Sequence, residues 1–275
     1  MKKLLVLFTV ILCLVPLVIG SSCSSVGNFR ADFLKIVPTD LNSYVIMFNV
    51  KSVRNDSDLS SVYTQMGGLL STSGQYGFNL DNIDYLGGAE GSSGSLLLWK
   101  GTINQKDVVA KLDSLGYYTD TYNGIDLRTS QDGSFTVAFL PIGFVVGTSK
   151  DLVEGSIRSS KGIDESFYTD VAHKELINKT RQGLIVEMSF DESIQSQWEG
   201  ATGTALTLDK MNTTEFTVQG IIQFTNDSNA KNSLSNIKDN LAVNVVVSKV
   251  TQNGNSVVVE GSSPMNSYDF SRGLQ

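Results

Sequence analysis

The sequence predicts an α+β protein of two similar units, each an antiparallel sheet with helices packed on one face, related by internal duplication. Three observations lead there. Runs rich in β-branched and aromatic residues alternate with runs of helical periodicity. Two Asn-Gly pairs each separate a pair of strand-like segments, the strongest short-range hairpin signal, because both residues tolerate positive φ. The order strand, helix, strand, helix, Asn-Gly hairpin then occurs twice.

Taken in order, "SYVIMFNV" (residues 43–50) is almost continuously apolar and reads as a buried strand. "NDSDLSSVYTQMGGLL" comes next, with Asn55, Asp56 and Ser57 as capping types before Leu59, Val62, Met66, Leu69 and Leu70 at helical spacing. "DYLGGAEGSSGSLLLWKG" reads as two strands around a flexible Gly/Ser turn. In "NQKDVVAKLDSLG", Val108, Val109, Leu112 and Leu115 share a helix face that Gly116 ends. "YYTDTYNGIDLRTS" folds at Asn123-Gly124, "SFTVAFL" and "GFVVGTS" make a second hairpin, and "SKDLVEGSIRSS" is a short helix.

In the second half, "GLIVEMSF" (residues 183–190) matches "SYVIMFNV", and "EFTVQGIIQF" alternates like a strand and parallels "SLLLW". The helix "NAKNSLSNIKDN" precedes a hairpin at Asn253-Gly254. The expected boundaries are a signal over 1–22, a flexible tether over 23–33, units over 34–180 and 181–264, and a disordered tail over 265–275.

Lys2 and Lys3 precede an apolar run from Leu4 to Ile19 that Pro16 interrupts, then Gly20, Ser21 and Ser22, the pattern of a secretory signal. That run is shorter than the roughly 20 residues of a membrane span. Cys13 leaves with the signal, so Cys23 has no disulfide partner in the mature chain, and an exported thiol is open to oxidation. The stretch resembles the lipoprotein signal of prokaryotes, in which small residues precede a cysteine that receives lipid. Ser21 and Ser22 match the two positions before Cys23, while Gly20 stands where that family usually has an aliphatic residue. The resemblance implies lipid attachment at Cys23. The segments "VPTDLNSYVIMFNV" and "GFVVGTSKDLVEGSI" resemble prokaryotic cell-surface proteins built from repeated α+β units.

The formal charge is −7, and loss of Lys2 and Lys3 leaves 19 basic against 28 acidic residues, or −9. Such a chain has no electrostatic affinity for a phosphate backbone, which excludes nucleic acid as a partner.

Chemistry-bearing residues are sparse. The single histidine, His173, lies in "YTDVAHKELINK" and is expected on a solvated helix face; no G-x-S-x-G elbow accompanies it. Ser235 and Lys238 have the spacing of a Ser-Lys dyad, a match that chance supplies. One His and one remaining Cys exclude Cys/His zinc patterns, and "NLDNID" lacks the spacing of a calcium loop. Gly87, Gly88, Gly91 and Gly94 lead into a strand rather than the helix a phosphate cradle needs. Trp99 and Trp198 are expected in the core. Four N-x-S/T sequons begin at Asn55, Asn178, Asn212 and Asn226. No cofactor, metal or catalytic residue is expected.

These readings describe an exported, extracytoplasmic protein held to a membrane by lipid on Cys23, the alternative being a secreted one. Its expected role is non-catalytic binding or envelope assembly, its partner an envelope protein or small ligand. The alternatives are a carrier of an apolar ligand and a hydrolase using two of Asp81, Asp84 and Glu90.

Overall fold

The computed structural model describes residues 27–69, 74–240 and 246–265. The expected signal, Cys23 and residues 266–275 of the expected tail lie outside them. Two compact units emerge, Gly27–Val171 and a second beginning at Ala172.

The first unit opens with helix α1 (Gly27–Leu34), then β1 (Tyr44–Phe48), α2 (Val50–Asn55), a 3-10 turn, and α3 (Ser60–Leu69). After a second 3-10 turn (Leu80–Asn82) come β2 (Ile83–Gly91), β3 (Gly94–Gly101), α4 (Gln105–Ser114), β4 (Tyr118–Tyr122) and β5 (Ile125–Thr129). The unit ends with β6 (Thr136–Leu140), β7 (Gly143–Gly147) and α5 (Lys150–Ser160). Its strands lie in the order β1-β2-β3-β7-β6-β5-β4, every named pair antiparallel.

Local sequence explains most boundaries. The first strand stops at Phe48, short of the expected Val50, because Asn49 Oδ1 accepts the Ser52 N–H at 3.1 Å and caps α2. Asn104 and Ser149 cap α4 and α5 in the same way. Gly116 ends α4 at φ 76°, and Asn123 (φ 49°) with Gly124 (φ 76°) makes the β4–β5 turn.

The β5–β6 turn is organised by Asp132, whose Oδ1 accepts from Ser130 Oγ at 2.7 Å, Ser134 Oγ at 2.7 Å and Ser134 N–H at 3.1 Å. These bonds hold its carboxyl at about 2, below the ordinary 3.8. A depressed folded-state value means that the stabilisation is present above 3.8 and disappears as pH falls towards about 2. Asp132→Asn is therefore expected to flatten the acid limb of stability in that window, measured by urea unfolding at stepped pH. An unchanged limb would remove Asp132 as its source.

The second unit holds α6 (Val171–Lys179, all but its first residue), β8 (Ile185–Ser189), α7 (Ser193–Gln197), β9 (Ala201–Lys210) and β10 (Glu215–Phe224). It closes with α8 (Asp227–Asn240), β11 (Val246–Asn253) and β12 (Ser256–Pro264), in the strand order β8-β9-β10-β12-β11. In each unit a three-strand meander leads through a helix to a further meander whose last strand pairs with the third, β7 on β3 and β12 on β10. The first unit has two hairpins after the helix where the second has one.

Four expectations change. The 23–33 tether gives way from Gly27 onward to α1, whose Phe29, Phe33 and Leu34 are buried. The boundary falls at 171/172 rather than 180/181, because α6 packs against residues of the second unit: His173 sits on Phe190, and Leu176 reaches the surface of Gly203. Met265, placed in the disordered tail, is buried and donates its N–H to Thr214 O at 2.8 Å.

Helices also do not keep to one face. In the second unit, Ile194 of α7 and Ala230 and Ile237 of α8 pack with Ile222, Phe224, Val257 and Val259. Side chains alternate across a strand, so Gln223 and its partner Gly203 point the other way, where Glu175 and Leu176 of α6 meet them. In the first unit Phe33 and Val153 cover Gly87 and Gly147 on the face of Leu96 and Leu98. Tyr76 and Phe78 cover Trp99 and Phe144 on the other. The continuously buried strands YVIMF and IVEMS are what burial on both faces requires.

Candidate functional site

The three carboxylates of the hydrolase expectation lie along β2 and the turn before it. Arg54, near the end of α2, donates from Nη1 to Asp81 O at 2.7 Å and Ile83 O at 2.8 Å, and from Nη2 to Asp84 Oδ1 at 3.3 Å. Lys51 Nζ is 3.6 Å from Asp84 Oδ2. The Tyr63 hydroxyl donates to Asp81 Oδ1 at 2.7 Å, and burial together with this bond pushes the phenol's pKa up. Asp81 and Asp84 thus fasten α2 and α3 to the start of β2. Glu90 is exposed six residues beyond Asp84, roughly 20 Å along an extended strand. The 5–9.5 Å separation of a paired-carboxylate hydrolase is not met by Asp84 and Glu90.

The glycine-rich stretch is not a flexible loop. Gly87, Gly88 and Gly91 belong to β2 and Gly94 opens β3, leaving only Ser92 and Ser93 in the turn. A Cβ at Gly87 would lie 2.8 Å from the Phe33 ring, and one at Gly91 would lie 2.0 Å from Asp40 O. These glycines form the bed on which the chain from α1 to β1 is laid, so no phosphate cradle is present there.

His173 is buried at 4 % exposure, contrary to its expected solvated position, with its ring 4.1 Å from that of Phe190. The buried stripe of α6 is His173, Leu176 and Ile177, the i, i+3, i+4 pattern of an inward face. Residue spacing fixes neither which face of α6 turns inward nor that Phe190 receives the ring.

At the end of α6, Lys179 Nζ donates to Glu175 Oε1 at 2.7 Å, Asn255 Oδ1 at 2.9 Å and Ser256 Oγ at 2.9 Å. Glu175 Oε2 accepts from Gln223 Nε2 at 3.2 Å and Asn255 Nδ2 at 3.0 Å. Lys179 first, then Asn255, draw the Glu175 carboxyl below its usual range. Sequence spacing could not find this cluster, whose members are up to 80 residues apart. It contains a Ser-Lys contact, yet the three N–H bonds of an ammonium are all directed at acceptors, and Ser256 is fully buried. The arrangement locks α6 to β10 and β12; it exposes no nucleophile. Ser235 lies on α8, while the side chain of its proposed partner Lys238 is outside the described residues.

Trp99 is buried among Tyr76, Phe78 and Phe144, and Trp198 packs partly buried on the second unit's core. Burial pushes the Tyr76 phenol up to about 12. The sequon asparagines 55, 178, 212 and 226 are all exposed. Among the described residues, no group of three or more His, Cys, Asp or Glu side chains could hold a metal, and no helix is long and apolar enough to cross a membrane.

One surface remains, at the point where the chain enters the fold. Phe29 of α1 stacks on Tyr85 with centroids 4.8 Å apart, and Lys100 Nζ lies 5.9 Å over the same ring. Lys100 also pairs with Asp32 at 3.7 Å. Tyr85 and Lys100 are register partners, so α1 begins at the same end of the β2–β3 hairpin that Arg54 and Lys51 occupy.

Fold and geometry define a mixed α+β protein whose antiparallel sheets are covered by helices. No protein-family model matches the sequence, and no curated protein matches it. Among solved structures, the chain is similar to crystal form III of TP0453, with TM-score 0.52 and 12% identity over 84% of this chain and 93% of that one. Crystal form I of TP0453 gives TM-score 0.51 and 12% identity over 88% of this chain and 98% of that one. At this identity the likeness establishes the fold alone.

Proposed function

We propose that this chain is an exported surface protein, tethered to a membrane by lipid on Cys23, with a non-catalytic role in binding or envelope assembly. The observation that carries the reading is the N-terminal sequence: basic Lys2 and Lys3, the apolar run to Ile19, then Gly20-Ser21-Ser22 before a cysteine with no partner. The closed polar clusters support the non-catalytic part. Arg54, Tyr63, Lys51 and Lys179 occupy the carboxylates around them, and the Ser256 hydroxyl that meets Lys179 is buried.

The shared return of the last strand to the third supports a further element of the reading, an ancestral duplication of one strand-helix unit. The two-hairpin form of the first unit would then be an expansion of the single hairpin in the second.

Intact mass of the mature N-terminal peptide from native membranes tests the tether. A diacyl or triacyl mass on Cys23 is expected, and Cys23→Ser is expected to move the protein from the membrane to the soluble fraction. A membrane-bound Cys23→Ser protein, or an unacylated peptide, would overturn the reading.

A further inference from the structure

We infer that the first unit is held against the bilayer by one side, the end of the β2–β3 hairpin where α1 begins, and that this side is its lipid-facing surface. The inference rests on the proposed lipid at Cys23.

Whatever conformation residues 23–27 take, four Cα–Cα steps span at most about 14 Å. Gly27 is already in α1, and α1 is not free to extend the link. Phe29 is stacked on Tyr85, and Phe33 fills the surface left by Gly87. A unit of this size has a radius of gyration of about 15 Å, hence a diameter near 40 Å. On a link that short it cannot turn its opposite side to the membrane. A tether running through residue 33 would have allowed that rotation.

The chemistry of the surface agrees with its neighbour. The mature chain is acidic, which disfavours contact with anionic headgroups in general. At this end, however, α2 carries Lys51 and Arg54 with no acidic residue, and Lys100 sits beside α1. Asp84 and Asp32 face this end and are engaged by these cations, and Asp81 stands beside them with its carboxylate accepting from the Tyr63 hydroxyl. Lys51 and Lys100 keep about half and a third of their side-chain surface open, so both can reach headgroup phosphates. The diacyl or triacyl anchor holds the chain at the membrane, and the cations bear on which side of the unit faces it.

The test uses the full mature chain, acylated at Cys23, on vesicles of neutral and anionic phospholipid containing a nitroxide-headgroup lipid. Asn55→Cys, exposed on α2, and Thr121→Cys each supply a single thiol for a fluorophore. Thr121 is exposed on β4, four strands beyond β3 and so roughly 19 Å across the sheet. Severalfold stronger quenching at position 55 than at 121 is expected. Inserting about 40 Gly/Ser residues before Gly27, with a mean reach of about 35 Å, should remove most of the difference. Equal quenching at both positions with the native link, or a difference undiminished by the insertion, would overturn the inference while the tether stands. A Cys23 without acyl mass, with both labels left unbound by vesicles, would instead overturn the tether.

Discussion

Trp99→Ala is expected to lower the unfolding free energy by about 4 kcal/mol, the largest single-residue effect in the first unit. The indole is buried at 1 % exposure, with ring centroids 5.9 Å from Tyr76, 6.1 Å from Phe78 and 5.9 Å from Phe144. Truncation removes the ring's transfer energy and leaves a cavity that the register-locked Phe144 cannot collapse to fill. For a protein of this size the melting temperature should fall by roughly 10 °C. Trp99→Phe separates volume from polarity. Trp99 Nε1 has no acceptor among the described residues, so phenylalanine loses part of the ring but also removes a buried unsatisfied donor. Its cost should be about 1 kcal/mol or less. Far-UV circular dichroism during urea unfolding measures both. A loss under about 1 kcal/mol for Trp99→Ala would mean that the aromatic cluster is not the core of this unit.

Gly91→Ala should cost about 3 kcal/mol although it adds one methyl group. The new Cβ would lie 2.0 Å from Asp40 O and 2.6 Å from Leu41 Cα, backbone atoms that cannot rotate away. Either β2 or the segment before β1 must move, and β1 pairs with β2 along its whole length, from Tyr44↔Glu90 to Phe48↔Leu86. Gly74→Ala is the control, with nothing within 4 Å of its added Cβ. Thermal melts of the two variants should differ by several degrees, Gly74→Ala lying close to the parent. Coincident melts would show that residues 40–41 do not cross over Gly91.

The legible elements are those in which local chemistry and tertiary burial agree. "YVIMF" and "IVEMS" signal buried strands, and Asn123-Gly124 signals its hairpin, because each signal resides in adjacent residues. β9 carries no such signal. Its sequence ATGTALTLDK has no apolar run, yet Thr204 and Thr207 are fully buried between β8 and β10. Threonine suits a pleated sheet, and only the two flanking strands make its burial evident. α1 is silent for a different reason. GNFRADFL has little apolar face of its own beyond two phenylalanines, and what orders it is the glycine surface of a strand more than fifty residues away.

The candidate sites divide along the same line. That Asp81 and Asp84 are near each other is readable in the sequence, but not that Arg54 and Tyr63 occupy them. His173 reads as solvated beside Lys174 and Glu175, yet a helix turns its third and fourth neighbours, not its adjacent ones, to the same side. The Lys179–Glu175–Asn255–Ser256 cluster has no sequence signature, because its members come from a helix and a distant hairpin.

By itself, the sequence determined the α+β class, most strands and helices, their caps and turns, and the acidic balance. These depend on spacing within a few residues, where backbone geometry and capping hydrogen bonds act. Tertiary structure alone decided that both sheet faces are covered, that the unit boundary precedes α6, that His173 is buried, and that α1 packs down to within four residues of Cys23. Each of those outcomes depends on surfaces that come together only when distant segments pack, such as Phe33 on Gly87 or Leu176 on Gly203, and the energy of such contacts belongs to neither segment alone.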